Sequence, residues 1–294
     1  MYIYLKFIRY QYSSMKQISA FFLWVIITAT SGYSQVINWQ AAAGGAGQSW
    51  PQDMVVTPDS GFIIAVRLTG STGFEVIDPV LGGSDIWVVK YSSDRKIQWQ
   101  KCLGGVINET PKNIRAARNS GYFVCGVSNS YISGNKTENA YYNDAWVLKL
   151  DAVGNILWQN TLQAIGSENM RCMDTTSDNG VIMAIGTCSA IGLDKTVPLV
   201  GQTDSWLVKL DSLGVVQWQN TVIVPGATQV YLQDIIQLSD GGYAAVGNYF
   251  ITQYTSGLFR LDSLGNVLWY QNIASSGTDQ PRVILNTADK GFLL

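Results

Sequence analysis

The sequence predicts an all-β fold, a β-propeller of four-stranded antiparallel blades, and three recurring anchors carry that prediction. A tryptophan recurs at Trp39, Trp99, Trp158, Trp218 and Trp269, spaced 60, 59, 60 and 51 residues apart, each time two residues after Ile or Val. A glycine follows each at Gly61, Gly121, Gly180, Gly242 and Gly291, two residues after Asp or Asn. The third anchor is Asp85-x-Trp87-x-x-Lys90, Asp144-x-Trp146-x-x-Lys149 and Asp204-x-Trp206-x-x-Lys209, which decays in the fourth unit to Thr255, Gly257 and Arg260. Self-similarity at one period outweighs the one or two domains that 294 residues would otherwise suggest.

Within one unit the elements follow in order. Residues 113–118, 122–127, 145–150 and 155–162 are strand-like, and turn chemistry separates them. Asn119-Ser120-Gly121 joins the first two and Asp151 to Asn155 joins the last two, with glycine supplying the positive φ of a tight turn. Successive tight turns give an antiparallel meander, not a parallel β-helix. Tyr122 to Cys125 and Ala145 to Leu148 are apolar on both parities, so both faces of those strands should be covered. Ile97-Gln98-Trp99-Gln100 and Val216-Gln217-Trp218-Gln219 alternate, as outer strands with one wet face do. A two-sheet sandwich would alternate in most strands.

The tryptophans and glycines therefore read as structural. Each tryptophan contributes roughly 1.5–3 kcal/mol by burial, and sugar stacking is reserved for one or two of them at most. Four units are complete and a fifth stops at Leu294 inside its second strand, so the chain is expected to be a fragment whose ring the strand around Trp39 would close.

The amino terminus sets the expected compartment. Lys16 precedes the apolar run Ile18 to Ile27, and small residues lead up to Ser34, the pattern of a cleaved secretory signal over residues 1–34, with Met15 as an alternative start. The run is shorter than the roughly 20 apolar residues of a membrane span. Residues 35–294 then form the propeller domain, with no transmembrane span. Lys6, Arg9 and Lys16 are the only charges before residue 35, so the processed chain is more acidic than the −2 of the whole. An acidic protein lacks the basic footprint that nucleic acid requires. Cys102, Cys125, Cys172 and Cys188 show no metal-like spacing and read as apolar packing, with oxidation after export as the alternative.

The runs Asp144-x-Trp146-x-x-Lys149-Leu150-Asp151-x-x-Gly154-Asn155-x-x-Trp158 and Asp240-Gly241-Gly242-Tyr243 resemble secreted bacterial β-propeller repeat proteins. Such proteins are often exported by type IX systems, carry a C-terminal sorting domain and have no assigned activity. The resemblance spans Val36 to Leu294, implies fold and compartment, and is silent on ligand; no sorting domain is present in the sequence. Asp211-x-x-Gly214-x-x-x-Trp218 is also similar to the tryptophan-docking motif of quinoprotein dehydrogenase propellers, but the adjacent cysteine pair and the acidic calcium cluster of a quinone site are missing.

The chemistry is sparse. With no histidine in the chain, the Ser/His/Asp triad, the Cys/His dyad and zinc motifs built on histidine are excluded. Asp85, Asp144 and Asp204, like Asp151, Asp211 and Asp262, recur from unit to unit, which suits turn acceptors and not an active site. Calcium ligation is disfavoured because no D-x-D-x-D spacing occurs, and no cofactor is expected.

Function belongs where the repeats differ, in the loops from second to third strand. Phe74, Glu75 and Asp78 mark the first loop, Tyr131, Lys136, Glu138, Tyr141 and Tyr142 the second, Asp194 and Lys195 the third, and the fourth is about ten residues shorter, leaving a step in that face. The expected function is an exported, non-catalytic binding or display module with carbohydrate or protein as partner through Phe74, Glu75, Asp78, Tyr131, Glu138, Tyr141 and Tyr142. The alternative is a propeller enzyme, either glycan-active through Glu75, Asp78 and Glu138 or quinoprotein-like.

Overall fold

The computed structural model describes residues 44–70, 72–73, 75–273, 280–289 and 291–294, which belong to one compact unit. The leader over residues 1–34 with its alternative start at Met15, the strand around Trp39, and Phe74 lie outside the described residues. The first blade comprises β1 (Ser49–Val56), β2 (Phe62–Thr69), β3 (Ser84–Tyr91) and β4 (Ile97–Leu103). The second comprises β5 (Glu109–Ala116), β6 (Tyr122–Ser128), β7 (Asp144–Leu150) and β8 (Ile156–Leu162). The third holds β9 (Glu168–Thr175), β10 (Val181–Thr187), β11 (Asp204–Leu210) and β12 (Val216–Thr221), and the fourth β13 (Gln229–Gln237), β14 (Tyr243–Phe250), β15 (Tyr254–Leu261) and β16 (Val267–Asn272). A two-stranded fifth sheet follows, β17 (Leu285–Asn286) and β18 (Phe292–Leu293).

Each four-stranded sheet pairs its strands antiparallel in chain order, and no helix occurs among the described residues. The first strands lie side by side, β1 against β5, β5 against β9 and β9 against β13, so they form the inner edge of the blades. The core sits between sheets. Phe123, Cys125 and Val147 of the second blade pack on Met183, Ile185 and Trp206 of the third, and equivalent clusters join the first blade to the second and the third to the fourth. This is why β6, β7, β10 and β11 are buried on nearly every residue whereas β8 and β12 keep exposed positions.

The outer tryptophans dock forward onto the next blade. Trp99 Nε1 donates to Ala152 O at 3.0 Å, and its ring lies on Gly154, where a β-carbon would come within 2.8 Å. Trp158 repeats this with Ser212 O and Gly214, and Trp218 lies on Gly265. The three glycines have φ of 87°, 83° and 78°, so ring contact and backbone conformation both require the absence of a side chain. Trp269 is 45% exposed. Trp87, Trp146 and Trp206 are fully buried, Trp146 and Trp206 in the cores between blades.

Gly61, Gly180 and Gly242 are required for close approach and not for positive φ. A β-carbon would meet Tyr91 O, Leu210 O or Leu261 O at 2.1, 2.1 and 2.5 Å, while Ser60, Asn179 and Gly241 adopt the left-handed conformation. Only Gly121 combines both, with φ of 75°. The turn is then tied to the third strand by ion pairs: Lys90 with Asp59, Lys209 with Asp178 and Arg260 with Asp240. The Lys90 ammonium and the Thr57 hydroxyl hold Asp59 down to about 2.

The sequence pattern did not disclose the bulges. In every inner strand one residue stands outside the ladder at the same register: Gln52, Lys112, Arg171 and Gln233. A second bulge in each outer strand precedes the docking tryptophan, at Gln98, Leu157, Gln217 and Leu268. Such insertions bend the strand and re-aim a side chain.

Candidate functional site

The loops between second and third strands, residues 70–83, 129–143, 188–203 and 251–253, emerge on the same face as the connections between blades. In the first three blades they share one anchor. The indole N–H of Trp87, Trp146 or Trp206 donates to the side-chain oxygen of Gln100, Gln159 or Gln219 at 2.9–3.1 Å. The same glutamine donates to the loop carbonyl of Glu75, Asn135 or Asp194 and accepts from the backbone N–H of Ile77, Thr137 or Thr196. Gln100, read as facing water, is therefore buried, because the bulge at Gln98 breaks the strand's alternation. The loops that look unlike in sequence prove to be three versions of one clasp.

The predicted loop residues separate accordingly. Asp78 accepts the Cys102 N–H, Glu138 the Thr161 N–H and Glu75 the Gly44 N–H, so these carboxylates fasten the loops. Lys136 is buried with Nζ 4.3 Å above the Trp146 ring and donates to the Thr161 hydroxyl; burial lowers its pKa to about 8. Lys195 is buried likewise, and Val76 fills the equivalent place in the first blade. Tyr131, Tyr141 and Tyr142 are half exposed, at 53%, 56% and 52%, on one loop, and Ile132 beside them is 61% exposed.

The recurring aspartates accept backbone N–H groups as expected: Asp151 from Val153 and Asn155, Asp211 from Leu213 and Val215, Asp85 from Leu81 and Gly82, Asp204 from Val200 and Gly201. Two of them do more. Asp85 and Glu109 close on Gly104, where a β-carbon would lie 2.0 Å from Asp85 Oδ1 and 2.6 Å from Glu109 Oε2. Asp144 and Glu168 repeat the pair one blade on. All four are buried, and Asp85 Oδ1, Asp144 Oδ1 and Glu168 Oε2 have no partner if every carboxyl is ionised. Burial and then the neighbouring acid push Asp85 and Glu168 up to about 7, and burial raises Asp144. A proton shared within each pair supplies the missing donor. The sequence signal is the equal spacing of Asp85 to Glu109 and Asp144 to Glu168; at the next junction the register position of those glutamates is held by Val230.

Two concavities stand out among the described residues. One of about 380 Å³ lies between the first two blades, with Asp78, Lys101 and Asn155 on its wall. The other, of about 480 Å³, lies at the fourth blade, beside the short loop 251–253. No group of three Cys, Asp or Glu side chains suited to a metal ion occurs among the described residues. Cys102, Cys125 and Cys172 are buried free thiols, in keeping with packing as their role, whereas Cys188 is exposed and does not pack as expected.

No family model and no curated protein matches this chain. Among solved structures, a protein of unknown function from Dyadobacter fermentans DSM 18053 aligns with a TM-score of 0.51 at 10% identity, over 87% of this chain and 76% of that one. A protein of unknown function from Bacteroides caccae aligns with a TM-score of 0.48 at 14% identity, over 80% and 70%. A thermostable family-43 glycoside hydrolase aligns at 0.44 and 8%, over 81% and 76%. At these identities a likeness is one of fold, and the fold of this chain is an all-β propeller with four complete four-stranded blades and the beginning of a fifth.

Proposed function

We propose that this chain is an exported, non-catalytic binding module that contacts carbohydrate or protein through its loop face. The observation that carries the reading is the group of half-exposed Tyr131, Tyr141 and Tyr142 on a loop whose base is clasped by Gln159 and Lys136. Tyrosine offers large contact area at small entropic cost, and a pre-organised loop avoids the cost of ordering on binding. Export rests on the charged, apolar and small-residue sequence of residues 16–34 and on the resemblance to secreted repeat proteins.

The glycan-cleaving alternative is less well supported. It needs two carboxyl groups roughly 5–10 Å apart flanking a substrate bond, whereas Glu75, Asp78 and Glu138 are engaged with backbone N–H groups and both acid pairs are buried. A glycan-array and host-protein screen of the full chain against Tyr131→Ala/Tyr141→Ala/Tyr142→Ala tests the reading. Binding by the parent that the folded triple variant loses supports it. Equal binding by both, or turnover of a glycan by the parent, overturns it.

A further inference from the structure

The blades depart from their shared pattern most sharply at one place, the junction of the third and fourth. The loop there shrinks to residues 251–253, the inner tryptophan becomes Gly257, and the acid found at Glu109 and Glu168 becomes Val230. Gln229 Oε1 accepts the hydroxyls of Tyr254, at 2.6 Å, and Tyr231, at 3.3 Å. Tyr231 and Tyr254 border the cleft of about 480 Å³. Its walls carry Arg171 and Arg282, both tyrosines, and the amides of Gln233 and Gln280, with no aliphatic side chain among them.

The two guanidinium groups are unusual. Arg171 is the bulge residue of β9, lies 5.1 Å above the Tyr231 ring, and reaches across Gly186, where a β-carbon would come within 3.0 Å of its Nε. The preceding blade has Val127 at the register of Gly186, so the glycine clears the path. That Nε is buried and has no hydrogen-bond partner, an arrangement that costs free energy unless something polar arrives. Arg282 donates to Gln280 Oε1 at 3.0 Å, and its segment is held by the Ile284 N–H bond to Asp234. Among the described residues neither guanidinium is within ion-pair distance of a carboxylate, although the chain as a whole is acidic.

We propose that this cleft is a binding site for a carboxylated saccharide, with Arg171 and Arg282 receiving the carboxylate and the tyrosine hydroxyls and amides receiving the sugar hydroxyls. Paired guanidinium groups match a carboxylate's geometry. A wall of hydrogen-bonding groups without aliphatic side chains matches a polyhydroxylated ring better than an apolar peptide. The site is independent of the tyrosine loop of the second blade.

The test is titration calorimetry of the full chain with trigalacturonate, neutral trigalactose, tetraglutamate peptide and inorganic phosphate. Trigalacturonate is expected to bind one to one and at least tenfold more tightly than the other three. Arg171→Gln and Arg282→Gln should each weaken it tenfold or more, Tyr254→Phe a fewfold, and Tyr131→Ala/Tyr141→Ala/Tyr142→Ala not at all. Because Arg282 is exposed, its variant reports binding without threatening the fold. Equal binding of trigalactose, tighter binding of tetraglutamate or phosphate, no binding of trigalacturonate, or retention of binding in Arg282→Gln would overturn the proposal.

Discussion

Single residues at the blade contacts carry constraints of different kinds, and substitution separates them. Gly214 has both a positive φ and the Trp158 ring 2.8 Å from where a β-carbon would stand, whereas Gly226 has a positive φ and nothing within 4 Å. Gly214→Ala should therefore cost about 2–4 kcal/mol, the sum of strain and overpacking, and Gly226→Ala about 1 kcal/mol. Urea denaturation of the two variants checks the difference; equal losses would refute ring docking as the reason for the glycine. The acid pairs give a pH dependence. Asp85 and Glu168 have folded pKa values of about 7 against ordinary values of 3.8 and 4.5, so the native state holds protons that the unfolded chain releases. Their contribution is complete below about pH 4 and is lost as pH rises to about 7. Asp85→Asn with Glu168→Gln keeps an accepting oxygen and supplies a permanent donor in each pair. That double variant should match the parent near pH 4 and exceed it by about 2–4 kcal/mol at pH 8; parallel stability curves would count against shared protons. The glycines were legible in sequence as structural, but not which of them serve close approach. The acids were legible as turn acceptors only, because their pairing depends on how neighbouring blades meet.

The clasped loops are the element that sequence comparison missed. Glutamine after the docking tryptophan looked like a wet outer-strand residue, yet Gln159 joins the Trp146 indole, the Asn135 carbonyl and the Thr137 N–H. Gln159→Leu leaves a buried indole N–H unpaired and should cost about 2 kcal/mol, with faster proteolytic nicking in residues 129–143 as the readout. Unchanged nicking would show that the loop is held by other contacts. Lys136 tests the same clasp from above. With a pKa lowered to about 8, it binds fewer protons in the folded chain than in the unfolded one between about pH 8 and 10.5, so parent stability rises with pH through that window. Lys136→Val, the choice made at Val76 in the first blade, should flatten that rise and add about 1–3 kcal/mol at pH 7. A variant less stable than the parent at pH 7 would mean that the cation over Trp146 outweighs its desolvation. The strands themselves were legible because their apolar pattern reports burial directly. The loops were not, because three different residue sets make the same backbone bonds.

At the scale of the molecule, stability should follow the number of neighbours each blade has. Cores form between blades, so the second and third blades are packed on both sides by complete four-stranded blades, and the fourth by the third and by the short fifth sheet. Amide hydrogen exchange is expected to be slowest in β6, β7, β10 and β11 and faster in β1 and β16, whose residues are largely exposed. Uniform protection across all sixteen blade strands would instead mark a single cooperative unit. The repeat was legible because each blade needs the same turns, docking ring and ion pair. The cleft at the fourth blade was legible only as a missing stretch of loop, since the residues that line it come from three separate parts of the chain. The inner-strand bulge also bears on how such a chain changes over time. Gln52, Lys112, Arg171 and Gln233 occupy one register yet pair with no residue across the ladder. Mutation at these sites is thereby uncoupled from the ladder, so a gene of this kind has four addresses at which new chemistry is tried while the surrounding architecture is inherited intact.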